Sequence, residues 1–593
     1  MRKIYKKNHQ IMPYIQAIPE ILIYKAVSNI ILLILVEVLK RLMMWAVYRT
    51  GRVAVSSGDF AFLFKSPYGW IAILTSFILC AVYIAFDINV IINYAGEKVK
   101  ERPTVLWKIL LESMAESARF FTPGGLLVLL YSLIIAPVFG VGMSISLTKD
   151  LYVPNFISEV IKSNVWYNTS YILFSIMMIA IGALGIFTIH GMVIDHVPAV
   201  KSFFMSAKIV INNFFDLIKE LVIFLVKYTM VYIAFLIFIL IIPALILIID
   251  PFMYTYFSRL ALITAVLIGF FELLASASLY VPLLTMKLTE LYYKYAENVP
   301  VSLQSKPVEN YKKMAVMIIL AYLCCWGVSY VVQENFDELF PAELTADVIG
   351  HRGAGTEGGE NTISGIKKAI ELGCYGAEID VQRTKDGYYI LNHDNTFKRV
   401  AGVNMAPSEM TLNEIKELNL NGSDRDKVPT IEEALDASGK NIVLFIELKG
   451  NTADRQMCDD MVNLIKERHL EDYCVLISLK YNLIEYIEDR YPEIQTGYLA
   501  FITLGNVGAL NCDYLGLEEE AATPSAITAA HENGRKVMVW TPNSAMSQKR
   551  FLMSDADAII TDQTSQANSL FDQLQDRDEV QRLFDAFYYA WTR

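Results

Sequence analysis

At 593 residues the chain exceeds one ordinary domain and suffices for two or three. Hydrophobic residues make up 54 % and charged residues 19 %. The apolar excess is concentrated in residues 1–333, which carry 27 Lys/Arg against 18 Asp/Glu, whereas residues 334–593 have a soluble balance and carry 24 against 44. So acidic a soluble half lacks the basic footprint that a nucleic-acid backbone requires; it excludes nucleic acid as a partner and suits a divalent cation.

Spanning a bilayer takes about 20 mainly apolar helical residues. Seven runs qualify: 27–48, 69–94, 120–147, 171–194, 221–249, 261–286 and 314–332. Glu37, Lys40 and Arg41 interrupt the first, and an amphipathic helix lying in the interface is the alternative there. No cleavable leader is evident, so this run is expected to act as an uncleaved anchor. The fifth is long enough to tilt or to break near Pro243. Alternate inter-span segments carry 18 Lys/Arg against 6, which assigns the N-terminus and the loops at 95–119, 195–219 and 287–313 to the cytoplasm. Beyond a seventh span the soluble half is then extracytoplasmic. Within the runs, Asp87, His190 and Lys227 are expected to snorkel toward span ends. Glu272 lies deeper and reads equally as a polar pocket or a structural group.

Residues 1–333 therefore read as a multi-span α-helical membrane domain, 334–346 as a linker containing Pro341, and 347–593 as a soluble domain. In the last, β-like runs at 347–351, 376–382, 442–448, 474–479, 494–499, 512–517, 536–541 and 557–561 alternate with amphipathic helical runs, and an extra run, 388–392, pairs back through Lys385-Asp386-Gly387. Eight such repeats predict a (β/α)8 TIM barrel, with a doubly wound open sheet as the alternative architecture. The last helix is expected over 564–589. Cys374, Cys458, Cys474 and Cys512 show no zinc spacing and read as small core residues.

A barrel of this kind places its chemistry at the C-terminal ends of the strands. His351 and Arg352 end the first strand, Glu378 and Asp380 share one face of the second, His393 and Asp394 follow the extra strand, Glu447 and Lys449 share one face of the third, and Trp540 ends the seventh. Glu378, Asp380 and Glu447 make a hard-oxygen set suited to Ca2+ or Mg2+. His351 and His393 offer a general acid and a general base, while Arg352 and Lys449 can neutralise phosphoryl charge. Singly, each residue is as well explained by a turn, a solvated strand face or a Glu–Lys pair; jointly they indicate metal-assisted phosphodiester chemistry. His469 and His531 fall away from the strand ends and read as surface residues.

Taken together, His351-Arg352-Gly353, Glu360-Asn361-Thr362, Glu378-Ile379-Asp380, Thr384-Lys385-Asp386-Gly387, His393-Asp394, Pro429-Thr430, Ile446-Glu447-Leu448-Lys449, Val539-Trp540-Thr541 and Ile559-Ile560-Thr561-Asp562 resemble the glycerophosphodiester phosphodiesterase family over nearly all of 347–566. The membrane half is similar to the multi-span domain fused to this catalytic domain in some Gram-positive bacteria. The resemblance implies a TIM barrel that hydrolyses glycerophosphodiesters to sn-glycerol 3-phosphate and an alcohol with Ca2+ or Mg2+. It implies Glu378, Asp380 and Glu447 as metal ligands, His351 and His393 as the acid–base pair, and Arg352, Lys449 and Trp540 at the substrate. The family commonly has Pro before Glu-Asn-Thr; here Gly359 stands there, after Gly355 and Gly358, and these glycines suggest a mobile rim or room for a larger head group. Pro542 follows Trp540-Thr541 where an aliphatic residue is usual.

The leading expectation is a multi-pass membrane enzyme with an outward-facing catalytic domain acting on lipid-derived or polyglycerol-phosphate material. A related barrel phospholipase and a non-enzymatic lipid-binding or transport module are the alternatives. The sequence leaves the oligomeric state open.

Overall fold

The structure, a computed structural model, describes residues 12–50, 54–56, 64–100, 105–132, 161, 164–249, 256–296, 309–340, 343–420, 426–500, 503–505 and 507–591. It divides into two compact units, Met1–Lys40 with Ile73–Leu339, and Arg41–Ala72 with Phe340–Arg593.

Six described helices are long and apolar enough to cross a membrane: Ala17–Arg49, Pro67–Val99, Val165–Leu184, Ala199–Ile246, Arg259–Ala296 and Ala315–Glu334. Most of the expected third span, 120–147, lies outside the described residues; within it, Thr122 accepts from the Gly125 amide and starts a helix over Pro123–Leu130. The expected span 171–194 is two helices, because Gly185 ends Val165–Leu184 and a short second helix, Thr188–Val193, follows. The helix Ala199–Ile249 runs through Pro243 and is instead kinked at Asn213, whose side-chain amide donates back to the Ile209 carbonyl.

Asp87 pairs between helices rather than snorkelling. Asp87 accepts hydrogen bonds from Tyr24 at 2.9 Å, Lys25 at 2.9 Å and Ser28 at 2.7 Å, all three on helix Met12–Arg49. A carboxylate without such donors is costly away from water, so this pairing locks the first two membrane helices together. His190 is buried and stacks on Tyr292 at 5.7 Å, and Glu272 is also buried. Near the Lys/Arg-rich loops, Lys287 pairs with Glu220 at 3.0 Å, Lys294 with Asp216 at 2.6 Å and Lys98 with Glu20 at 3.4 Å.

The second unit contains every described strand. β1 (Ala54–Ser56) comes from between the first two membrane helices. The others are β2 (Asp347–Gly350), β3 (Gly376–Arg383), β4 (Tyr389–Leu391), β5 (Val443–Leu448), β6 (Cys474–Ser478), β7 (Thr496–Ala500), β8 (Thr503–Gly505), β9 (Tyr514–Glu518), β10 (Lys536–Trp540) and β11 (Ala558–Thr561). Parallel pairing runs β2-β11-β10-β9-β7-β6-β5-β3, and β2 also pairs with β3 through Ile349 opposite Gly376. That last pairing closes the sheet into an eight-stranded barrel and removes the open doubly wound alternative. β4 lies antiparallel on the outer end of β3, as the Lys385-Asp386-Gly387 turn predicts.

Alternation along the strands sorts side chains into two cores. Ile349, Phe445, Val475, Ile477, Leu499, Tyr514, Met538 and Ile560 fill the barrel interior, while residues such as Ile379, Leu444, Leu476 and Val539 meet the surrounding helices. Those helices begin at side-chain caps: Thr362 accepts from Gly365, Thr430 and Glu433 make a capping box, and Asp454 accepts from Met457. The run expected as one helix over 564–589 is two, Thr564–Gln575 and Glu579–Trp591; Asp578 ends the continuity by accepting from the Gln581 amide and starting the second.

Candidate active site

Side chains two apart on a strand share a face, so Glu378 and Asp380 project together from β3. Parallel register sets Glu447 of β5 directly opposite Asp380. One carboxylate oxygen from each of Glu378, Asp380 and Glu447 lies within 4.8 Å of the others, and all three side chains are buried. Lys449, next on the same face of β5, donates from Nζ to Asp380 Oδ1 and Glu447 Oε2, each at 2.8 Å.

Three buried carboxylates around one ammonium leave an excess of negative charge. Desolvation, then the charges of Asp380 and Glu447, push the Glu378 carboxyl well above its ordinary range. Desolvation also drives Glu447 up, to about 7, against the opposing pull of Lys449. Asp380 goes the other way: burial opposes its ionisation, but Lys449, His393 and Arg352 hold it well below the usual range. A divalent cation would relieve this excess, and the all-carboxylate donor set fits a hard cation of that charge.

The loop after β2 wraps this cluster. The backbone amide of Arg352 donates to Glu378 Oε2 at 2.9 Å, and that of Gly353 donates to the Glu378 carbonyl at 2.8 Å. Arg352 has φ +53° and Gly353 φ +109°, left-handed conformations that turn successive amides inward. Asn361, also at φ +53°, donates its side-chain amide to Asp380 Oδ2 at 2.8 Å and accepts from the Asp380 amide at 2.9 Å. The Arg352 guanidinium lies 3.9 Å from Asp380 and 3.7 Å from Glu360, and its buried Nε makes no hydrogen bond among the described residues.

Each histidine carries its own carboxylate. His351 Nδ1 is 2.7 Å from Asp562 Oδ1, and His393 Nδ1 is 2.8 Å from Asp394 Oδ1. A carboxylate there only accepts, so Nδ1 carries the hydrogen and Nε2 is left for proton transfer. Asn543 donates to Asp562 Oδ2 at 2.7 Å. Burial works against the Asp562 anion, but the hydrogen bond and charge of His351, with Asn543 and Arg352, together outweigh it and hold this carboxyl at about 2. Burial also pushes the His393 imidazole below its ordinary range. Gln382 donates to the carbonyls of Asn392 and Asp394, at 2.7 and 2.8 Å, and fixes the loop that presents His393.

Arg399 joins the two sides of the rim. It forks onto Glu360 with bonds of 2.6 and 2.7 Å, and its Nε donates to Asp394 Oδ2 at 2.8 Å. At the seventh strand's end, Trp540 packs on the interior core, and its buried Nε1 makes no hydrogen bond among the described residues. The glycines after β2 serve close packing rather than a mobile rim: a Cβ on Gly355 would collide with the backbone of Asp562, and one on Gly358 would lie 2.7 Å from Gly365 Cα.

Seven of the eight sequence-predicted residues thus lie at the C-terminal ends of barrel strands and His393 lies in the loop after β4; Arg352 and Lys449 adjoin the Glu378–Asp380–Glu447 cluster. Sequence reasoning assigned no role to Asp562, Asn543 or Arg399. Asp562 stood within a quoted motif, and its place after the last strand, beside the first, was the available signal. Nothing in the sequence flagged Arg399.

Residues 351–566 match the glycerophosphoryl diester phosphodiesterase family, and residues 11–331 match the membrane domain of glycerophosphoryl diester phosphodiesterase. This chain belongs to the glycerophosphoryl diester phosphodiesterase family. It is 29 % identical over 231 residues to a glycerophosphodiester phosphodiesterase of Caldanaerobacter subterraneus subsp. tengcongensis, spanning 36 % of this chain and 93 % of that protein. Glycerophosphodiester phosphodiesterase 1 of Homo sapiens is 32 % identical over 111 residues, 17 % of this chain and 34 % of that one. Among solved structures, a Parabacteroides distasonis glycerophosphodiester phosphodiesterase aligns at 24 % identity and TM-score 0.35, covering 39 % of this chain and 98 % of that one. An Oleispira antarctica phosphodiesterase, solved in complex with the product sn-glycerol-3-phosphate, aligns at 23 % identity and TM-score 0.36, covering 38 % and 97 %. The protein is a membrane-domain-bearing glycerophosphodiester phosphodiesterase, so the non-enzymatic alternative gives way.

Proposed function

We propose that this phosphodiesterase hydrolyses glycerophosphodiesters to sn-glycerol 3-phosphate and an alcohol in a divalent-cation-dependent reaction, on lipid-derived or polyglycerol-phosphate material outside the cytoplasm. The observation that carries the reading is the convergence of Glu378, Asp380 and Glu447 within 4.8 Å, ringed by two carboxylate-held histidines. Glu378, Asp380 and Glu447 would hold Ca2+ or Mg2+, which supplies Lewis-acid polarisation of a phosphoryl oxygen when bound.

The rest is the work of the chain's own side chains. Arg352, with an unused Nε, and Lys449 neutralise charge growing on the phosphoryl oxygens. Trp540 offers an indole N–H and an apolar face to the glycerol or alcohol portion. His393, held neutral by burial, accepts a proton at Nε2 from the attacking hydroxyl, which belongs to water or to the neighbouring glycerol carbon. His351, oriented by Asp562, acts in its doubly protonated form and gives its Nε2 proton to the departing alcohol oxygen, while the proton from the nucleophile stays on His393. The outward placement rests on the Lys/Arg bias of the inter-span loops.

The test is turnover by the purified full chain against a panel of glycerophosphodiesters, lysophospholipids and polyglycerol phosphate, with products identified. Release of glycerol phosphate that EDTA stops and Glu378→Ala abolishes is the expected result. Full activity in EDTA would remove the cation assignment, and release of ceramide phosphate or a phosphorylated inositol would favour the phospholipase alternative. Protease added to intact cells is expected to cleave the catalytic domain; protection alongside cut controls would reverse the orientation.

A further inference from the structure

Strand β1 joins the barrel unit from a distant part of the chain. It follows helix Met12–Arg49 and precedes helix Pro67–Val99, both of which are long and apolar enough to cross a membrane. It pairs antiparallel with β8: Ala54 opposite Gly505, Val55 opposite Leu504, Ser56 opposite Thr503. β8 lies between β7 and β9, in the loop that leaves the C-terminal end of the fifth barrel strand. That is the end at which a barrel of this kind assembles its active site.

A backbone ladder needs both strands on one side of a bilayer, so the first inter-span loop and the rim of the catalytic mouth share one aqueous compartment. The connection is short. Arg49 to Ala54 spans at most about 18 Å of extended chain. On the flanking helix ends, Trp45, Tyr48, Phe64, Tyr68 and Trp70 are all exposed. Trp45 meets Tyr68 edge-on at 5.7 Å, and Trp70 donates its indole N–H to the Phe64 carbonyl at 2.8 Å. Exposed aromatic rings gathered at the ends of membrane helices mark the lipid–water boundary, where amphipathic rings sit among head groups.

We propose that Ala54–Ser56 is a built-in strap by which the first extramembrane loop holds the β8 rim loop at the lipid–water interface, so that the substrate is a glycerol-phosphate diester anchored in a bilayer by an acyl chain. This deepens the diesterase reading and rests on it. A diester held in the same plane as its enzyme is met at a raised local concentration, which a freely diffusing diester is not.

Two measurements on the full chain test the strap. In native membranes, Val55→Cys paired with Leu504→Cys is expected to form an intrachain crosslink on mild oxidation, while Val55→Cys with Lys367→Cys stays open. No crosslink in the first pair, or equal crosslinking in both, overturns the proposal. Val55→Pro places a ring that disfavours pairing in the middle of this three-residue strand and is expected to lower turnover of lysophosphatidylglycerol in vesicles about tenfold relative to turnover of soluble glycerophosphoglycerol. An unchanged ratio, including equal loss on both substrates, overturns it too. Wild-type protein inert toward both diesters would refute the diesterase reading alone, and the crosslink would still decide whether the strap forms.

Discussion

His351 and Asp562 stand 211 residues apart in the chain and 2.7 Å apart in the barrel. β2 and β11 pair in parallel, Gly350 opposite Thr561, so the residue after each strand meets its counterpart across the closing edge. The carboxylate fixes the imidazole tautomer. Asp562→Asn presents an amide N–H to Nδ1 and drives the hydrogen to Nε2; the expected outcome is a kcat loss of about 10²- to 10⁴-fold with KM little changed. Steady-state kinetics on a soluble diester check it. Because the Asp562 carboxyl is held at about 2, below its unfolded range, its contribution to stability is present above that range and is lost as pH falls toward 2. Acid-melting curves of Asp562→Asn should therefore fall less steeply below about pH 4 than those of the wild type.

Glu378 and Glu447 are both raised in the absence of a cation, Glu447 to about 7. A group raised in this way contributes stability below its unfolded pKa and loses it as pH climbs through the folded one. The cation-free protein is thus expected to lose stability between about pH 5 and 8, and added Ca2+ or Mg2+ should reverse that loss. Cation binding must expel the protons. Titration in weak buffer should release about one proton or more per ion at pH 6.5 and fewer at pH 8.5. Proton release that does not vary with pH would contradict the assignment.

Lys449 is the positive charge buried between Asp380 and Glu447. Removing one partner of such a group leaves uncompensated charge, so Lys449→Met should cost the cation-free protein about 3–5 kcal/mol. Much of that loss should return on cation addition, while turnover remains low for want of the phosphate contact. Denaturant midpoints with and without Ca2+ measure it.

Arg399 is half exposed, and its fork onto Glu360 and Asp394 adds little to global stability. Its effect is on position, because it holds the carboxylate that orients His393. Arg399→Gln is expected to lower kcat about tenfold to a hundredfold while shifting stability by less than about 1 kcal/mol. Added guanidinium ion should restore part of the rate in Arg399→Gln and none in Asp562→Asn, a distinction that a general packing defect would not produce.

The barrel was legible because period-2 apolar runs, turn residues and helix caps all favour the same eight repeats, and every expected barrel strand is present within two residues at either end. Glu378, Asp380 and Glu447 were legible because strand spacing alone puts side chains on one face. Arg399 and Asn543 were not, since their importance comes from loops folding back, and nothing local marks where Arg399 will meet Glu360. The glycines at 355 and 358 misled for the same reason: the sequence shows conformational freedom, whereas the folded chain uses the missing Cβ for contact. In the membrane half, apolar length located the spans but not their partners, so Asp87 read as a snorkelling group until Lys25, Tyr24 and Ser28 came into place.

The edge where β2 meets β11 also sets when the enzyme can first work. His351 follows the first barrel strand, while its orienting carboxylate follows the last. A ribosome-bound or prematurely terminated chain can carry the whole membrane half, both histidines and all three clustered carboxylates, and still lack the contact that orients His351. Catalytic competence is thereby postponed until the last barrel strand has been made, because nothing earlier in the chain supplies the carboxylate that orients His351.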